Sequence, residues 1–236
     1  MRTAASFANP IFCAVDRPDL AGAIDLARSV TGAVGGLKLG LEFFVANGPR
    51  GVREVAGTGL PIFLDLKLHD IPNTVAGAVR AAVALSPAML TLHACGGRAM
   101  LEAAVDAAGP ERPWLLGITV LTSLDTTDLR SLGIDAEPAT QVLRMAEICA
   151  RAGLDGVVCS AQEITPLRER FGQDLKLVVP GIRGAAEPAG DQKRTMPAGE
   201  ALERGAAVLV VGRPITGAAS PAEAARTLLR ALPRAA

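Results

Sequence analysis

Ile62-Phe63-Leu64-Asp65-Leu66-Lys67-Leu68-His69-Asp70-Ile71-Pro72-Asn73-Thr74 passes from an apolar run through a knot of charge to a helix start. Ile62–Leu66 has the length and residue types of a buried strand. Pro72 closes the extended segment, because a proline drives the residue before it away from helical backbone. Asn73 and Thr74 then offer side-chain oxygens to cap a helix over 74–85. Strand, polar turn and capped helix form the repeating unit of a parallel α/β protein.

Outward from this segment the same unit recurs. Short apolar runs occupy Ile11–Val15, Gly36–Leu39, Ile62–Leu66, Met89–His93, Leu115–Val120, Gly156–Cys159, Leu175–Val179 and Ala207–Val211. Between them lie Ala-rich stretches with helical spacing near 19–31, 41–57, 74–85, 97–108, 138–152, 161–171, 197–204 and 221–232. Asp19, Pro138 and Ser220-Pro221 mark helix starts. Eight units predict closure into a (β/α)8 TIM barrel, with 1–236 as a single domain; the chain's 236 residues suit a fold that takes about 250. An open doubly wound sheet is the structural alternative, but no G-x-G-x-x-G turn follows the first run. Leu121–Glu137 and Gly181–Pro197 read as long irregular connections, the kind that usually serve function.

Composition narrows the class. Half the residues are apolar but only 3% are aromatic and none is Tyr, so the core must be built from Ala, Val, Leu and Ile. Lys+Arg and Asp+Glu balance at 24 each, and no basic stripe with interleaved aromatics suggests a nucleic-acid surface. An anionic substrate would then be held by a local site, not by a global field. Cys13, Cys95, Cys149 and Cys159 form no C-x-x-C pair and read as free thiols of a cytoplasmic protein. No basic-then-apolar leader is apparent, and no apolar run approaches the ~20 residues of a membrane span. Trp114 reads as a packing anchor, and His69 and His93 as polar rim residues in preference to metal ligands.

Parallel barrels place their active sites at the C-terminal strand ends. Polar residues collect there: Asp16, Lys38, Asp65 with Lys67, His93, Thr122 with Ser123, Ser160, Arg183 and Arg213. Asp65 and Lys67 are two apart, so on a regular strand both face inward, where charge is expensive to bury unless paired. Lys38 on the adjacent strand supplies a cation, and Asp70 just beyond could supply a second anion. Val211-Gly212-Arg213-Pro214-Ile215, together with Arg183 and Gln192 in the preceding loop, reads as a phosphate site after strands seven and eight.

With these residues in view, the sequence resembles the orotidine 5′-phosphate decarboxylase family over essentially its whole length. The resemblance rests on Ala14-Val15-Asp16, Leu37-Lys38-Leu39-Gly40, Asp65–Thr74, Val120-Leu121-Thr122-Ser123, Pro180-Gly181-Ile182-Arg183, Asp191-Gln192-Lys193-Arg194 and Val211-Gly212-Arg213-Pro214-Ile215. It implies a decarboxylation of orotidine 5′-monophosphate to uridine 5′-monophosphate with no cofactor and no metal. It further implies a homodimer with shared sites, in which Asp70, Ile71 and Thr74 reach into the partner's site. Lys67 would protonate C6 and Asp65 would abut the substrate carboxylate, with Lys38 and Asp70 holding them in register. Asp16 and Lys38 would bind ribose hydroxyls, and Thr122 or Ser123 would read the pyrimidine edge. Gln192 and Arg213 would hold the phosphate, near Arg183 and the Gly212 amide, with the loop from Arg183 to Gln192 as a closing lid. Two alternatives stand beside this: a magnesium-dependent hexulose-phosphate synthase or keto-gulonate-phosphate decarboxylase of the same superfamily, and a non-catalytic nucleotide-binding barrel.

Overall fold

The computed structural model describes residues 7–182 and 196–232. Eight parallel strands close in chain order: β1 (Ile11–Val15), β2 (Gly36–Leu39), β3 (Ile62–Leu68), β4 (Met89–His93), β5 (Trp114–Ile118), β6 (Gly156–Val158), β7 (Lys176–Val179) and β8 (Val208–Val211). Helices α1 (Leu20–Val30), α2 (Leu41–Ala56), α3 (Pro72–Val83) and α4 (Arg98–Ala108) follow the first four strands. Helices α5 (Thr126–Ser131) and α6 (Pro138–Arg151) follow β5, and α7 (Ile164–Phe171) follows β6. Helix α8 (Ala198–Glu203) precedes β8, which α9 (Arg213–Thr216) and α10 (Pro221–Arg230) follow. The expected (β/α)8 barrel is therefore present. Among the described residues no helix is long and apolar enough to cross a membrane.

Side-chain alternation divides the core in two. Phe12, Phe63, Met89, Leu116, Val178 and Val208 fill the barrel interior. Ile11, Cys13, Leu37, Leu39 and Leu64 face outward into the larger layer beneath the helices. There α1 contributes Ala23, Leu26, Ala27 and Val30, the i, i+3, i+4, i+7 stripe of an amphipathic helix. The Asp19 carboxylate caps this helix by accepting from the Gly22 amide at 2.7 Å. Trp114 is the anchor expected of it: it is buried, and Phe7 packs edge-on against it with ring centroids 5.1 Å apart.

Several local expectations are corrected. Helix α3 begins at Pro72 with Ile71 as its N-cap, so Asn73 and Thr74 lie inside the first turn and do not cap it. Proline is the reason, since its fixed φ and missing N–H suit the first helical position. Helix α2 is interrupted at Gly48, whose φ of 60° accommodates the Pro49 that follows. The connection after β5, expected to be irregular throughout, holds α5; Asp125 and Asp128 form a capping box around a segment too short to show periodicity. The N-terminal strand ends also carry charge. Arg112 pairs with Asp155 at 3.2 Å, and Asp155 accepts from the Leu115 amide at 2.9 Å, tying β5 to the entry of β6.

The departure that matters most is in β3. Leu64 is opposite Leu90 on β4, but Leu68 is opposite Leu92. Asp65, Leu66 and Lys67 therefore share one partner position, and the strand bulges there. Lys67 carries the bulge with a φ of 51°, in the left-handed region that costs a residue with a Cβ roughly 1–2 kcal/mol.

Gly36 tests the interior packing. A Cβ there would lie 2.2 Å from the Phe12 ring and 2.7 Å from the Pro61 carbonyl oxygen. Gly36→Ala is expected to lower the unfolding free energy by about 1–3 kcal/mol, the usual effect of overpacking, as read by urea denaturation.

Candidate active site

The C-terminal strand ends enclose a cavity of about 730 Å³, a volume suited to a small-molecule ligand. Interior residues Phe63 and Val210 contribute apolar wall, and the same inward parity brings Asp16, Lys38, Asp65 and Gly212 to its lining. Lys67, Thr122 and Arg213 complete the polar lining.

Asp65 is the hub. It is 7% exposed, and its Oδ2 lies 2.7 Å from Lys67 Nζ and 3.7 Å from Lys38 Nζ. Lys38 Nζ also donates to Asp16 Oδ1 at 3.0 Å. The chain Asp16–Lys38–Asp65–Lys67 thus alternates in sign, which is what makes so much buried charge tolerable. Thr91, fully buried on β4, donates to Asp65 Oδ1 at 2.9 Å and accepts from the Lys67 amide at 2.9 Å. Burial pushes the Asp65 carboxyl up, but the Lys38 and Lys67 charges and the donors from Lys67 and Thr91 outweigh it and hold the group below the usual carboxylate range.

Two histidines border the cluster, with ring centroids 5.5 Å apart. Burial, His69 and Lys67 depress the His93 imidazole, favouring its neutral form. Among the described residues no group of three or more His, Cys, Asp and Glu side chains is placed to hold a metal ion.

The structure gathers only part of the predicted set into one cavity. Asp16, Lys38, Asp65, Lys67, Thr122, Gly212 and Arg213 line it. Asp70, Ile71 and Thr74 are exposed and outside its lining, and the Asp70 carboxylate accepts from the Ile71 amide at 2.6 Å. Ser123 is likewise exposed and outside the lining. Ser160 is fully buried away from the cavity, its amide donating to Glu163. Arg183 and Gln192 lie outside the described residues; Ile182 and Met196 on either side meet in an isolated parallel bridge. Thr91 was overlooked. Its signal was available, as a hydroxyl in an otherwise apolar run two residues before His93.

Comparison with known proteins settles what the arrangement belongs to. The family model described as Orotidine 5′-phosphate decarboxylase / HUMPS matches residues 9–228. This chain belongs to that family. A curated orotidine 5′-phosphate decarboxylase of Rhodospirillum rubrum is 52% identical over 228 residues, covering 93% of this chain and 92% of the relative. Another from Sphingopyxis alaskensis is 53% identical over 220 residues, covering 93% of this chain and 97% of the relative. The crystal structure of orotidine 5′-phosphate decarboxylase from Lactobacillus acidophilus superposes with a TM-score of 0.84 at 33% identity, covering 94% of this chain and 98% of that one. The family description spans two groups, and both curated relatives carry the name of the first.

The charge network has a pH signature. Because Asp65 is held below its ordinary value of 3.8 in the folded chain, its contribution to stability is fully present above that pH. The contribution is lost as pH falls further, through the folded-state value. Asp65→Asn should therefore show a shallower acid dependence of unfolding free energy below about pH 4. Parallel slopes for the two proteins in urea titrations would remove Asp65 from this role.

Proposed function

We propose that this protein decarboxylates orotidine 5′-monophosphate to uridine 5′-monophosphate and CO2, the last step of de novo UMP synthesis, without a metal or cofactor. The observation that supports this best is the Lys38–Asp65–Lys67 network, set in a cavity that Gly212 and Arg213 also line. The working unit is read as the whole chain folded as one barrel domain, in the cytoplasm, a setting that suits its four free thiols.

Breaking the C6–carboxylate bond leaves an electron pair on C6 in an sp2 orbital that no neighbouring carbonyl can delocalise. The site must meet that charge electrostatically, with cations already in place before the bond breaks. The Lys67 ammonium sits beside the developing charge and then passes a proton from Nζ to C6. Asp65 lies against the substrate carboxylate, a like-charge contact relieved as CO2 departs. Lys38 keeps Asp65 ionised and, with Asp16, is suited to ribose hydroxyls. Thr122, which lines the cavity where Ser123 does not, is the better candidate for the pyrimidine edge. Arg213, the Gly212 amide, Gln192 and Arg183 are assigned to the phosphate. Phosphate binding can lower the barrier at C6 by closing the site and expelling water.

The assembly is read as a homodimer with shared sites. Its support is the position of Asp70, Ile71 and Thr74: they flank the charge cluster in sequence yet are exposed and outside their own cavity, and Ile71 is 67% exposed. On the partner they would complete the site, with Asp70 bringing another carboxylate toward Lys67.

Ultraviolet monitoring of orotidine 5′-monophosphate loss with EDTA present tests the activity. Turnover is expected to persist, whereas loss on chelation would favour the magnesium-dependent reading and no turnover at all the non-catalytic one. Lys67→Ala should lower kcat by at least about 10²–10⁴-fold while nucleotide binding survives. Near-normal turnover would remove Lys67 from its role. Arg213→Ala should weaken 5′-phosphorylated ligands by about 2 kcal/mol and leave nucleosides unaffected, as read by calorimetry. Mixing Asp70→Ala with Lys67→Ala protein should restore activity through hybrid dimers, and verified hybrids without rescue would place Asp70 within its own chain.

A further inference from the structure

Thr91 belongs to none of the sequence motifs, yet it is the β4 residue that the β3 bulge surrounds. Asp65, Leu66 and Lys67 stand between the paired positions Leu64–Leu90 and Leu68–Leu92, so Thr91 alone faces all three. Its hydroxyl joins the two that carry charge, donating to Asp65 Oδ1 and accepting from the Lys67 amide. The directions are forced. An amide N–H can only donate and an ionised carboxylate can only accept, so the group between them must do both.

The two oxygens of Asp65 are divided. Oδ2 serves Lys38 and Lys67, and Oδ1 serves Thr91. Both lysines pull on one oxygen, so a donor on the other is what fixes the carboxylate plane. A β-branched residue suits this task, since its restricted χ1 favours few placements of the hydroxyl. The same hydroxyl meets the backbone of Lys67 where φ is 51°, a conformation that persists only when its surroundings hold it.

We propose that Thr91 is a positioning residue for decarboxylation: its hydroxyl locks the Asp65 carboxylate to the Lys67 backbone and so aims both charged groups at the substrate. For what those groups act on, the inference rests on the decarboxylase reading above. Thr91 itself touches no substrate. Its hydrogen bond is also one of the influences that lower the Asp65 carboxyl.

The test compares wild type with Thr91→Val, which keeps the shape and removes the hydroxyl, Thr91→Ser, which keeps the hydroxyl, and Thr91→Ala in case valine packs badly. Steady-state kcat and KM are measured on orotidine 5′-monophosphate. The Asp65 carboxyl is titrated by carbon NMR, with its signal assigned by its loss in Asp65→Asn. Thr91→Val and Thr91→Ala should lower kcat roughly ten- to a hundredfold with KM little changed, the pattern of misaligned reacting groups. They should also raise the Asp65 titration, and Thr91→Ser should restore both. A folded Thr91→Val or Thr91→Ala with lower Tm but wild-type kcat and Asp65 titration would overturn the proposal, as would a serine variant no better than valine. If the wild type itself does not turn over, the decarboxylase reading fails, while the Asp65 titration still decides whether Thr91 positions the carboxylate.

Discussion

One buried carboxylate shared by two lysines is the constraint around which this barrel is arranged. A carboxylate as enclosed as Asp65 would ordinarily take up a proton, because desolvation penalises its charge. Lys38 from β2 and Lys67 from the end of β3 prevent that, and Asp16 after β1 answers Lys38 in turn. Three consecutive strands each give one inward charge or pair of charges, so the network exists only once the barrel has closed. The charges are then fixed in place before any ligand arrives, as electrostatic catalysis requires.

The network sits on an irregular strand. A regular β3 would bring Asp65 and Lys67 to the same face by alternation alone. The chain instead sets three residues of β3 against one of β4, turns the Lys67 backbone left-handed and stitches it to Thr91. Strain of this kind gathers where function over-determines geometry. The surrounding fold is well suited to resist it: interior aromatic and aliphatic side chains lie below the cluster, and a second apolar layer under the helices surrounds the strands.

The fold was legible because its signals are repetitive. Eight apolar runs at helical intervals leave few topologies, and position at the C-terminal strand ends alone pointed to Asp16, Lys38, Asp65, Lys67 and Arg213. What escaped was set by tertiary geometry. The β3 bulge has no sequence mark, since Lys67 is not a glycine and Leu66 reads as one more outward residue. Thr91 stands out in the sequence as a hydroxyl in an apolar run, but its two partners on β3 are a matter of the ladder and not of the run. Asn73 and Thr74 do not cap α3 because Pro72 opens the helix instead of closing the segment before it. Asp70, Ile71 and Thr74 were legible as a motif but not as a place, because their own barrel does not bring them into its cavity.

In the proposed function Lys67 is the cation placed against C6. A crystal structure with uridine 5′-monophosphate bound addresses it directly, since the product retains the carbon that receives the proton. C6 is then expected within about 3.5 Å of Lys67 Nζ, near-attack distance, with the phosphate on the Gly212 amide and Arg213. A nucleotide seated in this cavity with C6 turned away from Lys67, or bound elsewhere on the barrel, would contradict it.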